Sequence, residues 1–185
     1  MKLIIGMTGA SGSRMGMALM RELGSHEDIE THLVLTEGAR LTWQYEMDTD
    51  IQELCDLADH VYDEKDYAAV IASGSFMTDG MIIIPCSMKT LAGIVSGYAE
   101  NLLLRAADVC LKEDRKVVLV PREMPMNKVH LRNLREAADI GCRIVPPMLT
   151  FYNGAETLDE QVDHVIGKVL MQFGIVPASF KAWKG

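Results

Sequence analysis

The 185-residue chain predicts a three-layer, doubly wound parallel α/β sheet. Short apolar runs alternate with longer segments of helical periodicity along the whole chain. Small or glycine-rich turns follow several of those runs directly. The run Met81–Pro85 is continuous and apolar, with turn residues on both sides, as expected of a central strand buried on both faces.

In order, Leu3–Met7 is a first strand, and the turn Thr8-Gly9-Ala10-Ser11-Gly12 leads into a helix ending near Leu23. His32–Leu35 is a second strand, followed by a helix that includes Ala39–Glu46. Ala69–Ile71 reads as a short third strand and Met81–Ile84 as the next, with Pro85 stopping its ladder. Helices follow over Thr90–Gly97 and Asn101–Glu113. Lys116–Val120 is a strand closed by Pro121, Asn127–Ile140 a helix, Arg143–Val145 a last strand and Thr157–Phe173 a last helix. Asp59–Tyr67, Ser73–Gly80 and Pro146–Gly154 read as irregular. The length suits one unit, residues 1–185, with a tail at 177–185 placed to close a site or touch a neighbouring subunit.

Composition narrows the function. The 49% hydrophobic content with 13 methionines fits a filled α/β interior. A net charge of −8 with no basic stripe argues against a nucleic-acid binder. Cys55, Cys86, Cys110 and Cys142 are far apart with no C-x-x-C pair, which favours reduced thiols in the cytoplasm over zinc or a redox dithiol. MKLIIGM is too short for a signal peptide, and no apolar run approaches the ~20 residues of a membrane span.

The chemistry-bearing groups fall at strand ends, where open α/β sheets bind ligands. Gly6, Gly9 and Gly12 are spaced by three, so the dinucleotide fingerprint is missing, and Glu37 in the place of a ribose-binding acid is coincidental. Gly9 and Gly12 still allow a tight turn whose helix-start N–H groups attract a phosphate, with Ser11 adding a hydroxyl; this suits a mononucleotide. Thr36 ends the second strand beside that turn. Ser87, Met88, Lys89 and Thr90 follow Pro85, and Ser87 reads equally as a plain helix cap. Arg105, Asp108 and Lys112 share a helix stripe, either solvated or phosphate-facing. Arg122 and Glu123 follow the next strand, offering a planar fork for phosphate and a proton-transfer group. Three strand ends thus gather phosphate-competent groups on one rim. His130 reads as a helix cap, His164 as a surface residue and Cys86 as an inert strand-end residue; His60 is also weighed as a catalytic group.

MTGASG (7–12), SGSFMTDGMIIIPCSMKTLAGI (73–94), NLLLRAADVCLKEDRKVVLVPREMP (101–125) and PPMLTFYN (146–153) together resemble the UbiX-like flavin prenyltransferases, including forms named as the B subunit of hydroxyarylic (phenolic) acid decarboxylases. The resemblance implies a Rossmann- or flavodoxin-like fold of the flavin-containing cysteine decarboxylase group. It implies FMN held by Gly9, Ala10, Ser11, Thr36, Ser87, Met88, Lys89, Thr90 and Arg122. It further implies a dimethylallyl monophosphate site of Tyr152 and Lys168, with Arg105, Lys112, Arg122 and Glu123 around the phosphate. Glu46 matches the family's active-site glutamate and Trp183 an aromatic closing the prenyl pocket. Ser11, Glu46, Arg105, Lys112, Glu123 and Trp183 carry the catalytic expectation. Lys168 departs from a more usual Arg and loses its bidentate geometry.

The implied reaction joins a dimethylallyl group to reduced FMN at N5 and then C6, for delivery to a UbiD-type aromatic acid decarboxylase. The chain has no D-D-x-x-D cluster, so cationic side chains are expected to replace a metal at the leaving phosphate. The family's habit implies a homododecamer with sites shared between subunits. An FMN-dependent cysteine-type decarboxylase and a non-catalytic FMN-binding subunit are the alternatives, the former lacking a matching His after the second strand.

Overall fold

The computed structural model describes residues 1–177 and 180–182. Among them β1 (Lys2–Met7), β2 (Glu30–Leu35), β3 (His60–Asp63), β4 (Gly80–Cys86), β5 (Lys116–Pro121) and β6 (Arg143–Ile144) form one sheet. Neighbours are all parallel, in the order β3-β2-β1-β4-β5-β6. The helices are α1 (Ser13–Leu23), α2 (Glu37–Glu46), α3 (Ile51–Cys55), α4 (Met88–Ser96), α5 (Leu102–Lys112), α6 (Lys128–Asp139) and α7 (Leu158–Leu170).

Strand alternation sorts the apolar side chains into two cores, one on each face. Leu3, Ile5 and Met7 of β1 pack with Leu19 and Met20 of α1 and Val169 of α7. Ile4 points the other way, into a core with Leu91 of α4 and Leu103 and Ala106 of α5. Each such fully buried aliphatic side chain contributes roughly 1.5–3 kcal/mol. The chain winds from β1 to β3 on one side, then returns to place β4 on the other side of β1. The loops leaving β1 and β4 therefore diverge, and a crevice opens at their carboxyl ends.

The predicted doubly wound sheet is present, and most of its predicted elements end within three residues of those observed. Four expectations change. Ala69–Ile71 is no strand: Val70–Ala72 is a 3-10 turn, apolar because Ala69 and Ile71 fill the second core. The outer strand β3 lies in the stretch expected to be irregular. It is an exposed edge strand paired only with β2, so its alternation is weak. Helix α3, a single capped turn and a half, also went unseen; the Asp50 carboxylate accepts from Gln52 N at 2.8 Å. Pro85 does not end β4. The register shifts between Ile83 and Cys86, and Cys86 pairs with Pro121, so the strand absorbs its missing N–H as an irregularity.

Candidate active site at the carboxyl ends of β1 and β4

Thr8 ties the two diverging loops together. Its buried hydroxyl donates to Pro85 O at 2.7 Å and accepts from Ser87 N at 2.8 Å. Thr36 does similar work on the other side: its hydroxyl caps α2 by accepting from Ala39 N (3.1 Å) and lies 3.2 Å from Met7 O as donor. Ser87 caps α4 through Thr90 N at 3.2 Å, and its hydroxyl donates to Thr90 Oγ1 at 3.1 Å. The cap and the rim position are one and the same residue, so the two readings of Ser87 are compatible.

Between these helix starts lies a cavity of about 990 Å³ lined by Gly9, Thr36, Ser87, Lys89 and Thr90. Gly9 meets Gly38 backbone to backbone: a Cβ on Gly9 would sit 3.0 Å from Gly38 Cα. That approach needs glycine at both positions and packs the start of α2 on the β1 turn, and the cavity beside it has room for a mononucleotide such as FMN. Lys89 stands at the mouth, its amine 3.3 Å from Glu100. Ala10 is buried and Met88 half-buried next to this cavity's wall.

A second cavity, about 450 Å³, begins two residues along the same turn and holds Ser11, Glu46 and Arg122 against Met148 and Val165. The Glu46 carboxylate accepts from Gly12 N and Ser13 N, both at 2.8 Å, and from Ser11. Burial raises its pKa, but these donors outweigh it and hold the group below the ordinary carboxylate range. The expectation that the α1 start attracts a phosphate is thereby corrected: its N–H groups already hold a carboxylate of the chain. Gly12 is required there by its backbone, at φ +130°, which side-chain-bearing residues rarely adopt. The Arg122 guanidinium makes no hydrogen bond or ion pair among the described residues, whereas Glu123 turns back to accept from Met124 N at 3.0 Å.

Other expected residues stand elsewhere. Arg105 donates to Ala72 O at 3.2 Å and pairs with Asp108 at 2.7 Å. Lys112 pairs with Glu113 near Gly74, at the amino edge of the sheet where β5 begins. Helix α5 starts at the carboxyl rim, where Asn101 donates to Glu64 at 2.7 Å, and runs back. At ~1.5 Å per residue, seven residues separate Arg105 from Lys112 by about 10 Å. One chain's rim therefore does not collect both. Tyr152 lies edge-on to His164 (5.8 Å), and the Lys168 amine sits 5.5 Å over the Phe180 ring. Trp183 lies outside the described residues. His164, expected at the surface, is buried and stacked on Phe180 at 5.1 Å.

His130 caps α6 as expected, reciprocally with Asn127. Burial pushes the Cys86 thiol far above its usual pKa, so it is inert. Sequence reasoning missed Gly38, Arg132 and Asn133 in the large cavity. Gly38 could have been found as a glycine in the first turn of a helix after a strand end. Asn133, buried on α6, gave only the weak signal of one polar residue on an otherwise inward face.

Fold and cavities together define a mononucleotide-binding α/β protein, and comparison with known proteins refines that class to a flavoprotein. The flavoprotein family model matches residues 1–172. A probable UbiX-like flavin prenyltransferase of Sedimentibacter hydroxybenzoicus is 60% identical over 185 residues, covering 100% of this chain and 98% of the relative. The dodecameric FMN-dependent UbiX-like decarboxylase structure from Escherichia coli O157:H7 superposes with a TM-score of 0.98 at 51% identity, covering 100% of both chains. AnUbiX (PadA1), solved with FMN and dimethylallyl pyrophosphate, gives 0.97 at 42% identity, covering 100% of this chain and 97% of that one. The chain belongs to the UbiX-like flavin prenyltransferase family.

Proposed function

We propose that this chain joins a dimethylallyl group to reduced FMN, making a prenylated flavin for a UbiD-type aromatic acid decarboxylase. The observation that carries the reading is the meeting of Ser11, Glu46 and Arg122 in one cavity, two residues along the turn from Gly9, which lines the larger one. Reduced FMN supplies the nucleophilic N5 and C6 positions. Gly9, Ala10, Thr36 and Ser87–Thr90 are assigned to holding it.

Glu46 is an ionised carboxylate fixed by three donors, so it orients the Ser11 hydroxyl and can take a proton through it. The Arg122 guanidinium, without a hydrogen bond or ion pair among the described residues, is assigned to hold the leaving phosphate bidentately. Met148 and Val165 give the second cavity an apolar side that excludes water from an allylic cation. Tyr152 and Lys168 are assigned to the donor phosphate, Glu123 to proton delivery and the tail 177–185 with Trp183 to closing the prenyl side. Cationic side chains take the neutralising part, and we assign the reaction no metal.

Arg105 and Lys112 are assigned to phosphate, Lys112 in the site of a neighbouring subunit, since α5 carries it to the amino edge of its own sheet. The dodecameric assembly of the E. coli relative supports a homododecamer here. So does the exposed apolar loop of Met148, Leu149 and Phe151, whose side chains a partner would cover. No helix among the described residues is long and apolar enough to cross a membrane, and the four cysteines are free, in keeping with a cytoplasmic place.

Incubation of the purified protein with reduced FMN and dimethylallyl monophosphate, read by mass spectrometry, should show a flavin heavier by one C5 unit. An unchanged flavin together with decarboxylation of a peptidyl-cysteine substrate would overturn the reading.

A further inference from the structure

We propose that Glu30, His32 and His60, at the amino edge of β2 and β3, form a binding site for a late first-row divalent cation, with Zn²⁺ the best match. The cluster follows from sheet geometry. Glu30 and His32 are two apart on one strand and so share a face. The parallel register sets His32 directly beside His60 of β3. Their ligand atoms lie within 4.8 Å of one another. His32 Nε2 and His60 Nε2 are each 3.2 Å from Glu30 Oε1. Ligands about 2.0–2.2 Å from a tetrahedral Zn²⁺ stand ~3.3–3.5 Å apart, so small side-chain shifts suffice.

His32 supplies the second, independent observation. It is 1% exposed, and apart from the 3.2 Å approach of Glu30 Oε1 its Nε2 has no partner in hydrogen-bond geometry among the described residues. Its other nitrogen, Nδ1, is 2.9 Å from the Tyr62 hydroxyl, an outer hydrogen-bond partner that orients the ring. Phe76 lies edge-on to His32 at 5.1 Å and walls off the inner side. His60 is half exposed, which leaves an entry path and room for a fourth ligand.

Lys2 is the competing cation. Its amine is 2.8 Å from Glu30 Oε2 and 5.0 Å over the Phe76 ring. It occupies the carboxylate oxygen opposite the one facing both imidazoles, so a bound ion and Lys2 share the carboxylate and repel each other. This cluster lies at the opposite edge of the sheet from the reaction cavities, and an ion here would pin the edge strand β3 to β2.

The test is calorimetric titration of ZnCl₂ into the chelator-treated, desalted full-length protein, with CoCl₂ titrated in parallel and followed by visible absorption. We expect one equivalent per chain and the intense d–d bands of tetrahedral Co²⁺. His60→Ala, at an exposed position, and Glu30→Gln should each weaken Zn²⁺ at least ~10-fold. Lys2→Met should tighten it on the order of tenfold by removing the repelling charge. A Co²⁺ spectrum that stays that of the hydrated ion, or equal Zn²⁺ affinity in the native protein and His60→Ala, would sink the proposal.

Discussion

Glu46 shows how one side chain can serve both fold and chemistry. It caps α1 from outside that helix, 34 residues downstream of Gly12, and it holds Ser11 beside it in the smaller cavity. Its folded pKa lies below the unfolded value near 4.5, so its stabilisation is complete above that value and is lost as pH falls through the lower folded pKa. Glu46→Ala should therefore cost about 1 kcal/mol in urea unfolding at pH 7, the scale of a lost helix cap. The gap between variant and native protein should close in acid below pH 4.5. Glu46→Gln should retain FMN, seen by its absorbance, and lose prenylation. Flavin loss in that variant would show Glu46 to be a flavin ligand instead. The importance of Glu46 came from resemblance alone, because helix spacing cannot say which distant N–H groups a glutamate will meet. His164 misled for the same reason: its exposure depends on Phe180 stacking over it.

At the scale of elements, the ends of β1 and β4 hold the site open and fixed. Thr8 is the pin, and nothing in its local sequence announces a bond to residues 77 and 79 positions away. Thr8→Val keeps the shape but leaves Ser87 N–H without its acceptor, which should cost ~1–3 kcal/mol in denaturant unfolding. Flavin affinity should fall with it, since Ser87 heads the loop along the cavity. Unchanged stability would mean that the close β-ladder alone sets the crevice. Central strands were legible because burial on both faces writes a continuous apolar run. The edge strand β3 was not legible, for it buries little and is defined by pairing with β2. The apolar stretch at 69–71 looked more strand-like than the true strand, although its residues enter the core from a 3-10 turn.

For the whole molecule, the open question is how many chains make one active site. Helix α5 carries Lys112 about 10 Å beyond Arg105 to the amino edge, so the proposed reaction needs a neighbour to bring Lys112. Lys112→Ala and Glu46→Gln should each be inactive alone. Refolded or co-expressed as mixed oligomers, they should regain a fraction of native prenylation, because some sites then combine the intact Glu46 of one chain with the intact Lys112 of another. Mixed oligomers that stay dead would place both residues in one chain's site. The alternation of strands and helices and the combined motifs sufficed to read the α/β class and the family. Those features are local in the chain, and local patterns are what burial on a strand or a helix face imposes. Which N–H groups Glu46 holds, where α5 carries Lys112, and how β2 and β3 bring Glu30, His32 and His60 together depend on contacts between segments distant in the chain. Packing sets those distances, and no periodicity records them.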